Sequence, residues 1–182
     1  MIDPKLFKEY QNQLNETLEK ICNKDLDLLY RLLIKKIKTK KKIFVCGNGG
    51  SAANANHIEI DLLNIKVPID INSLNSNIPV ITCISNDYGY ENIFKKQLES
   101  KGRKGDLLIL LSGSGNSKNI INVIKAAKKL DISTFGIFGF DGGKAIKLVK
   151  QKIHIKSKNM QVCEDIQMII FHFISQILKK NS

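Results

Sequence analysis

Short apolar runs alternate along this chain with longer stretches whose apolar residues recur at helical spacing. Ile43 to Cys46, Pro79 to Ile84 (PVITCI), Asp106 to Leu111 (DLLILL), Ser133 to Phe138 (STFGIF) and Lys152 to Ile155 each fit a strand, DLLILL being the unbroken kind found where both sheet faces are covered. Around them, Leu6, Phe7, Tyr10, Leu14, Leu18 and Ile21 form an amphipathic stripe opened by Asp3-Pro4 as cap and first turn. Leu26, Leu29, Leu33 and Ile37 form a second, closed by the basic stretch Lys35 to Lys42, where cations suit a helix C-terminus.

Further helices are expected from Ser51, from Glu91 to Ser100, from Lys118 to Leu130, briefly from Lys144, and over 161–180, the last burying Val162, Ile166, Ile169, Ile170, Phe173, Ile174 and Ile177. Asn64 to Asn77, polar and interrupted by Pro68, reads as a loop or a short edge strand. Strands alternating with helices predict an α/β fold, a three-layer sandwich around a parallel sheet. The length of 182 residues fits a single domain spanning 1–182. Because the sheet begins only at Ile43, the helical segment 1–40 is expected to cover another surface, that of a neighbouring subunit.

The chemistry gathers where strands hand over to helices. After Ile43 to Cys46, Gly47-Asn48-Gly49-Gly50 makes a turn open only to small side chains, and Ser51 stands at the expected N-cap. After DLLILL comes Ser112-Gly113-Ser114-Gly115-Asn116-Ser117. Each turn would offer unpaired helix N–H groups and hydroxyls to an anion. Neither carries the lysine of a Walker loop, and Ala52 stands where a dinucleotide fingerprint needs its third glycine. A single phosphoryl group is therefore the expected occupant, with no nucleotide cofactor. His57 and Asp61, four apart, share one helix face. Asn86 and Asp87 stand just past the expected PVITCI strand, where open α/β sheets bind ligands, though Asp87 could equally cap the next helix.

The formal charge of +12 admits an anionic partner. The lysines are nevertheless spread along the chain without interleaved aromatics, which argues for a solvated surface and against specific nucleic-acid binding. Cys22, Cys46, Cys83 and Cys163 lack metal-ribbon spacing and read as free thiols. No apolar run approaches the roughly 18 residues of a membrane span, so the chain is expected in the cytoplasm, with no membrane partner.

GNGGSAANANHIEIDLL, SNDYGYENIF, GDLLILLSGSGNSKNIINVIKAAK and EDIQMIIFHF, in this order and at these separations, resemble the sugar isomerase (SIS) domain family, and within it the phosphoheptose isomerases. The resemblance covers nearly the whole chain. It implies a five-stranded parallel sheet of flavodoxin-like type, a homotetramer with sites between subunits, and conversion of sedoheptulose 7-phosphate to D-glycero-D-manno-heptose 7-phosphate for surface polysaccharide. By that resemblance Ser51, Ser112, Ser114 and Ser117 hold phosphate with Gly113, while Asn48, Gly49, Gly50, Asn86, Asp87 and Glu164 contact the sugar. His57, Asp61, Glu164 and His172 match a set that binds zinc in some members, and Asp61 and His172 match the acid/base pair, Asp61 at carbon and His172 at oxygen.

The sequence departs from the family pattern in having Asp61 for the usual Glu, Glu164 for the usual Gln, Gly113 for the usual Thr, and no arginine shortly after Asp61. Two other readings stay open: an isomerase of a different phosphosugar, and a non-catalytic module that binds a phosphosugar or DnaA.

Overall fold

The computed structural model describes residues 3–181. Five strands, β1 (Ile43–Cys46), β2 (Ile71–Ser73), β3 (Leu107–Ser112), β4 (Ser133–Phe138) and β5 (Gln151–His154), form one sheet in the order β2-β1-β3-β4-β5. Every pairing is parallel, so all five strands deliver their C-terminal ends to the same edge.

The unbroken apolar runs are explained by what lies on each side. Ile43 and Val45 of β1 and Leu107, Ile109 and Leu111 of β3 point into one core, whereas Phe44, Cys46, Leu108 and Leu110 point into a second. The first core is covered by α2 (Asn23–Lys38), α3 (Gly50–Leu63) and α7 (Met160–Lys180), with α1 (Pro4–Glu19) lying outside against α7. The second is covered by α4 (Ile78–Tyr88), α5 (Ile93–Lys101) and α6 (Lys118–Lys129).

Asp3 caps α1 as the sequence suggests, its carboxylate accepting from the Lys5 amide at 2.9 Å. The leading helices do not both await another surface: Leu29 and Leu33 of α2 are fully buried in the first core, and only α1 leaves large apolar residues, Leu6 and Phe7, in solvent.

PVITCI is a helix, not a strand. Asn77 accepts from the Val80 amide at 3.1 Å and Pro79 occupies the first turn, so the cap and the pre-set proline φ outweigh the β-branched residues that follow. α4 buries no residue completely and only leans Ile81 and Ile84 on the second core. The second strand in chain order is instead Ile71–Ser73, the short edge strand admitted by the Asn64 to Asn77 reading.

Candidate active site

The helix after the first turn begins two residues earlier than its sequence suggests. Gly49, at φ 57, is the N-cap of α3, a left-handed conformation that favours glycine. Ser51 therefore lies in the helix's first turn and not at its cap, and is almost fully buried. Gly47 is obligatory for a different reason: a Cβ there would lie 2.5 Å from the Ser51 carbonyl oxygen.

The second turn is braced from behind. The Ser112 hydroxyl accepts from the Gly115 amide at 3.1 Å, and the Ser114 hydroxyl accepts from the Asn116 amide at 3.3 Å. Gly115 lets the loop after β4 approach closely, since a Cβ on it would meet the Gly142 carbonyl oxygen at 1.9 Å. Ser117 stands at the N-cap of α6, yet its hydroxyl makes no capping hydrogen bond.

Both turns line one cavity of about 300 Å³, bounded by Asn48, Gly49, Ser51, Ser112, Gly113, Ser114, Ser117, Met160 and Glu164. A neighbouring depression of about 420 Å³ shares Asn48 and Ser117 and adds Tyr90, Glu91, Lys118 and Asn119. Asn48 is fixed by a reciprocal amide pair with Asn119, at 2.9 and 2.8 Å, and by the Tyr90 hydroxyl donating to it at 2.9 Å. Asn119 and Tyr90 were not singled out from sequence as site residues, because their contacts join segments 71 and 42 residues away.

Glu164 enters from α7. Its carboxylate oxygens would lie 2.2 and 2.6 Å from a Cβ built on Gly50, so the absence of that atom is what admits the carboxylate to the start of α3. Asn54 ties the two helices together, donating to the Glu164 main-chain oxygen at 2.9 Å and to Gln167 Oε1 at 3.1 Å.

Farther along the same seam, α3 and α7 bring His57, Asp61 and His172 together. His57 Nε2 and His172 Nε2 are 3.2 Å apart, and Asp61 Oδ2 is 3.5 Å from His172 Nε2 and 3.7 Å from His57 Nε2. A tetrahedral zinc ion with bonds of 2.0–2.1 Å separates its ligand atoms by about 3.3 Å, so the triangle has the right size. Asp61 Oδ2 is buried with no hydrogen-bond partner, and such an orphaned acceptor is costly unless a cation or a protonated imidazole answers it. The Asp61 side chain is 19% exposed and the imidazoles 54% and 48%, so a position opposite the three ligand atoms faces outward.

Glu164 is not part of that cluster, which among the described residues comprises His57, Asp61 and His172 only. Asn86 and Asp87 do not reach the cavity lining. With PVITCI helical they fall on the exposed last turn of α4, where Asn86 donates to Asp87 at 2.9 Å. Asp87 does not cap the next helix, whose preceding residue is Asn92. His154 Nε2 donates to the Phe140 carbonyl, 2.9 Å away, and joins neither group. Burial pushes the Cys46 thiol, beside the first turn, far above its ordinary range and leaves it inert.

Residues 7–139 match the SIS domain model. The chain is 34% identical to the phosphoheptose isomerase of Helicobacter pylori (strain ATCC 700392 / 26695), covering 100% of this chain and 97% of that protein. It is 37% identical to that of Sulfurimonas denitrificans over 89% of this chain and 85% of the relative. The solved phosphoheptose isomerase GmhA from Neisseria gonorrhoeae superposes with a TM-score of 0.90 at 29% identity, covering 97% of this chain and 96% of that one.

Proposed function

The chain belongs to the SIS domain family, alongside the phosphoheptose isomerases, and from that premise we propose that it interconverts sedoheptulose 7-phosphate and D-glycero-D-manno-heptose 7-phosphate, supplying heptose for surface polysaccharide. The observation that carries the reading is that both glycine-and-serine turns line a single cavity. One phosphoryl group can thus meet the hydroxyls of Ser51, Ser112, Ser114 and Ser117 together with the starts of α3 and α6. Asn48, held by Asn119 and Tyr90, offers a fixed amide to the sugar hydroxyls, beside Gly49, Gly50 and Gly113.

Aldose–ketose interconversion moves one proton between adjacent carbons and another between their oxygens. His172, paired with Asp61 and with its side chain about half exposed, is assigned the oxygen side, giving or taking the proton when its Nε2 carries no metal. His57, Asp61 and His172 would hold zinc, the donor set and triangle size being suited to it. A zinc ion held there would supply Lewis-acid polarisation of a sugar oxygen.

Distance favours a site shared between subunits. Asp61 lies eleven residues beyond Gly50 on α3, about 16 Å along the axis. An extended heptose phosphate spans roughly 9 Å from phosphorus to the carbonyl carbon at ordinary bond lengths. A phosphate in the cavity therefore leaves the reacting carbons short of the Asp61 of its own chain. Around the cluster, Ile60 and Leu63 of α3 and Ile169 and Phe173 of α7 are exposed, although the helical pattern marks Ile169 and Phe173 for burial. A second copy covering them would bring its own cavity to the cluster, in a homotetramer to which α1 adds Leu6 and Phe7. Among the described residues no helix is long and apolar enough to cross a membrane, in keeping with a place in the cytoplasm, where sugar phosphates are made.

A non-catalytic phosphosugar module would have no use for an orphaned carboxylate between two imidazoles. Incubation with sedoheptulose 7-phosphate, followed by NMR, should show the aldose appearing; an unchanged ketose spectrum at stoichiometric protein would overturn the assignment.

A further inference from the structure

Resting on the isomerase reading and deepening it, we propose that Asn119 and Tyr90 are positioning residues that lock Asn48 as a hydrogen-bond donor only, so that Asn48 recognises the phosphosugar through an oxygen lone pair. A primary amide has two hydrogens to give and two lone pairs to receive with, and the sequence does not say which end Asn48 turns to the cavity. Its neighbours decide.

The constraint starts at a backbone amide. Asn119 is buried, and its Oδ1 accepts from the Ile120 N–H at 2.9 Å, which a nitrogen in that place could not do. Asn119 Nδ2 is thereby turned to Asn48 and donates to its Oδ1 at 2.8 Å, while Asn119 Oδ1 accepts from Asn48 Nδ2 at 2.9 Å. A flipped Asn48 would set nitrogen against nitrogen and oxygen against oxygen. The Tyr90 hydroxyl fills the second lone pair of Asn48 Oδ1, at 2.9 Å. Tyr90 is half exposed, yet its short turn (Tyr90–Asn92) is fastened to α6, the helix that carries Asn119, by Asn122 donating to the Glu91 main-chain oxygen at 3.0 Å.

Both lone pairs of Asn48 Oδ1 are therefore spent, and among the described residues its second Nδ2 hydrogen has no partner. Asn48 stands on the wall common to the phosphate cavity and the depression beside it, so that hydrogen is what it can offer at their border. An ester, hydroxyl or carbonyl oxygen answers it, whereas a protonated amine has no lone pair to bring. An amide locked beforehand also spares the ligand the cost of ordering it on binding.

The test is a double-mutant cycle with sedoheptulose 7-phosphate, read as KM, kcat and calorimetric Kd in wild type, Tyr90→Phe, Asn48→Ala and the double variant. Loss of one neutral hydrogen bond should raise KM and Kd of Tyr90→Phe by about three- to tenfold, with kcat within about twofold and the melting temperature unchanged. In the Asn48→Ala background the same change should add nothing, because Tyr90 acts through Asn48; a merely structural role would not vanish there. Asn119→Ala, which frees both ends of the amide, should weaken binding towards the level of Asn48→Ala. Unaltered Kd in Tyr90→Phe or in folded Asn119→Ala, or a Tyr90→Phe loss as large with Asn48→Ala as without it, would overturn the inference. A wild type that binds the sugar phosphate but yields no aldose would overturn the isomerase reading, with the cycle in Kd still deciding the inference; one that does not bind it would overturn both.

Discussion

The cavity and the imidazole cluster lie on one seam between α3 and α7 but are built on opposite plans. The cavity is lined by residues of a single chain, its serines and glycines braced by backbone contacts such as Gly115 against Gly142. The cluster faces outward, its two imidazoles about half exposed and its neighbours Ile60 and Phe173 apolar and in solvent. A site that binds can be finished inside one fold. One that must meet the far end of an extended substrate is left open for another copy to complete, and each half should fail in its own way when altered.

The largest effect is expected at the open half. Asp61→Asn replaces the orphaned carboxylate between the imidazoles with a neutral amide, and kcat should fall by about 10²-fold or more while KM for the sugar phosphate changes little. Bound zinc, measured by elemental analysis, should fall with it; full turnover in Asp61→Asn would show the cluster to be idle.

The phosphate cavity should respond in KM. Ser117 sits at the α6 N-cap without making the capping bond, so Ser117→Ala should leave the melting temperature unchanged. A hydrogen bond to a charged phosphate contributes about 1.5–3 kcal/mol, so KM should rise by about tenfold or more. Lost stability with unaltered KM would make Ser117 a cap and nothing else.

A smaller effect sharpens the border between the halves, where α1 is fastened to α7. The hydrogen bond to Asp165 raises the Tyr10 phenol from 10.0 to about 12, with burial adding to it. A raised folded-state pKa means that the contribution is fully present below pH 10 and is lost as pH climbs towards 12. Tyr10→Phe should therefore be less stable than wild type at neutral pH, with the difference shrinking across that window. An ultraviolet titration in which every tyrosine ionises near 10 would contradict this.

Most of the scaffold was legible in the sequence because burial on both faces writes itself as uninterrupted apolar runs, as in Leu107–Ser112. PVITCI misled because its β-branched residues say strand while Asn77 and Pro79 say helix start, and the cap prevailed. That error also placed Asn86 and Asp87 at a sheet edge they do not occupy. The spacing of His57 and Asp61 put them on one face, but His172 meets them from 115 residues away. Spacing could not reveal that meeting, nor the pairing of Asn48 with Asn119, because both depend on how the helices pack; for His172 it was the family likeness that pointed there.

The central claim is that the cavity of one copy works with the cluster of another. Co-expressing a cavity-dead chain (Ser112→Ala with Ser117→Ala) and a cluster-dead chain (Asp61→Asn), each inactive alone, tests it directly. If sites are shared, randomly mixed oligomers should regain up to about a quarter of wild-type activity, since that fraction of sites joins an intact cavity to an intact cluster. Mixed oligomers, verified by differential tags, that stay as inactive as either parent would show that each site is complete within one chain.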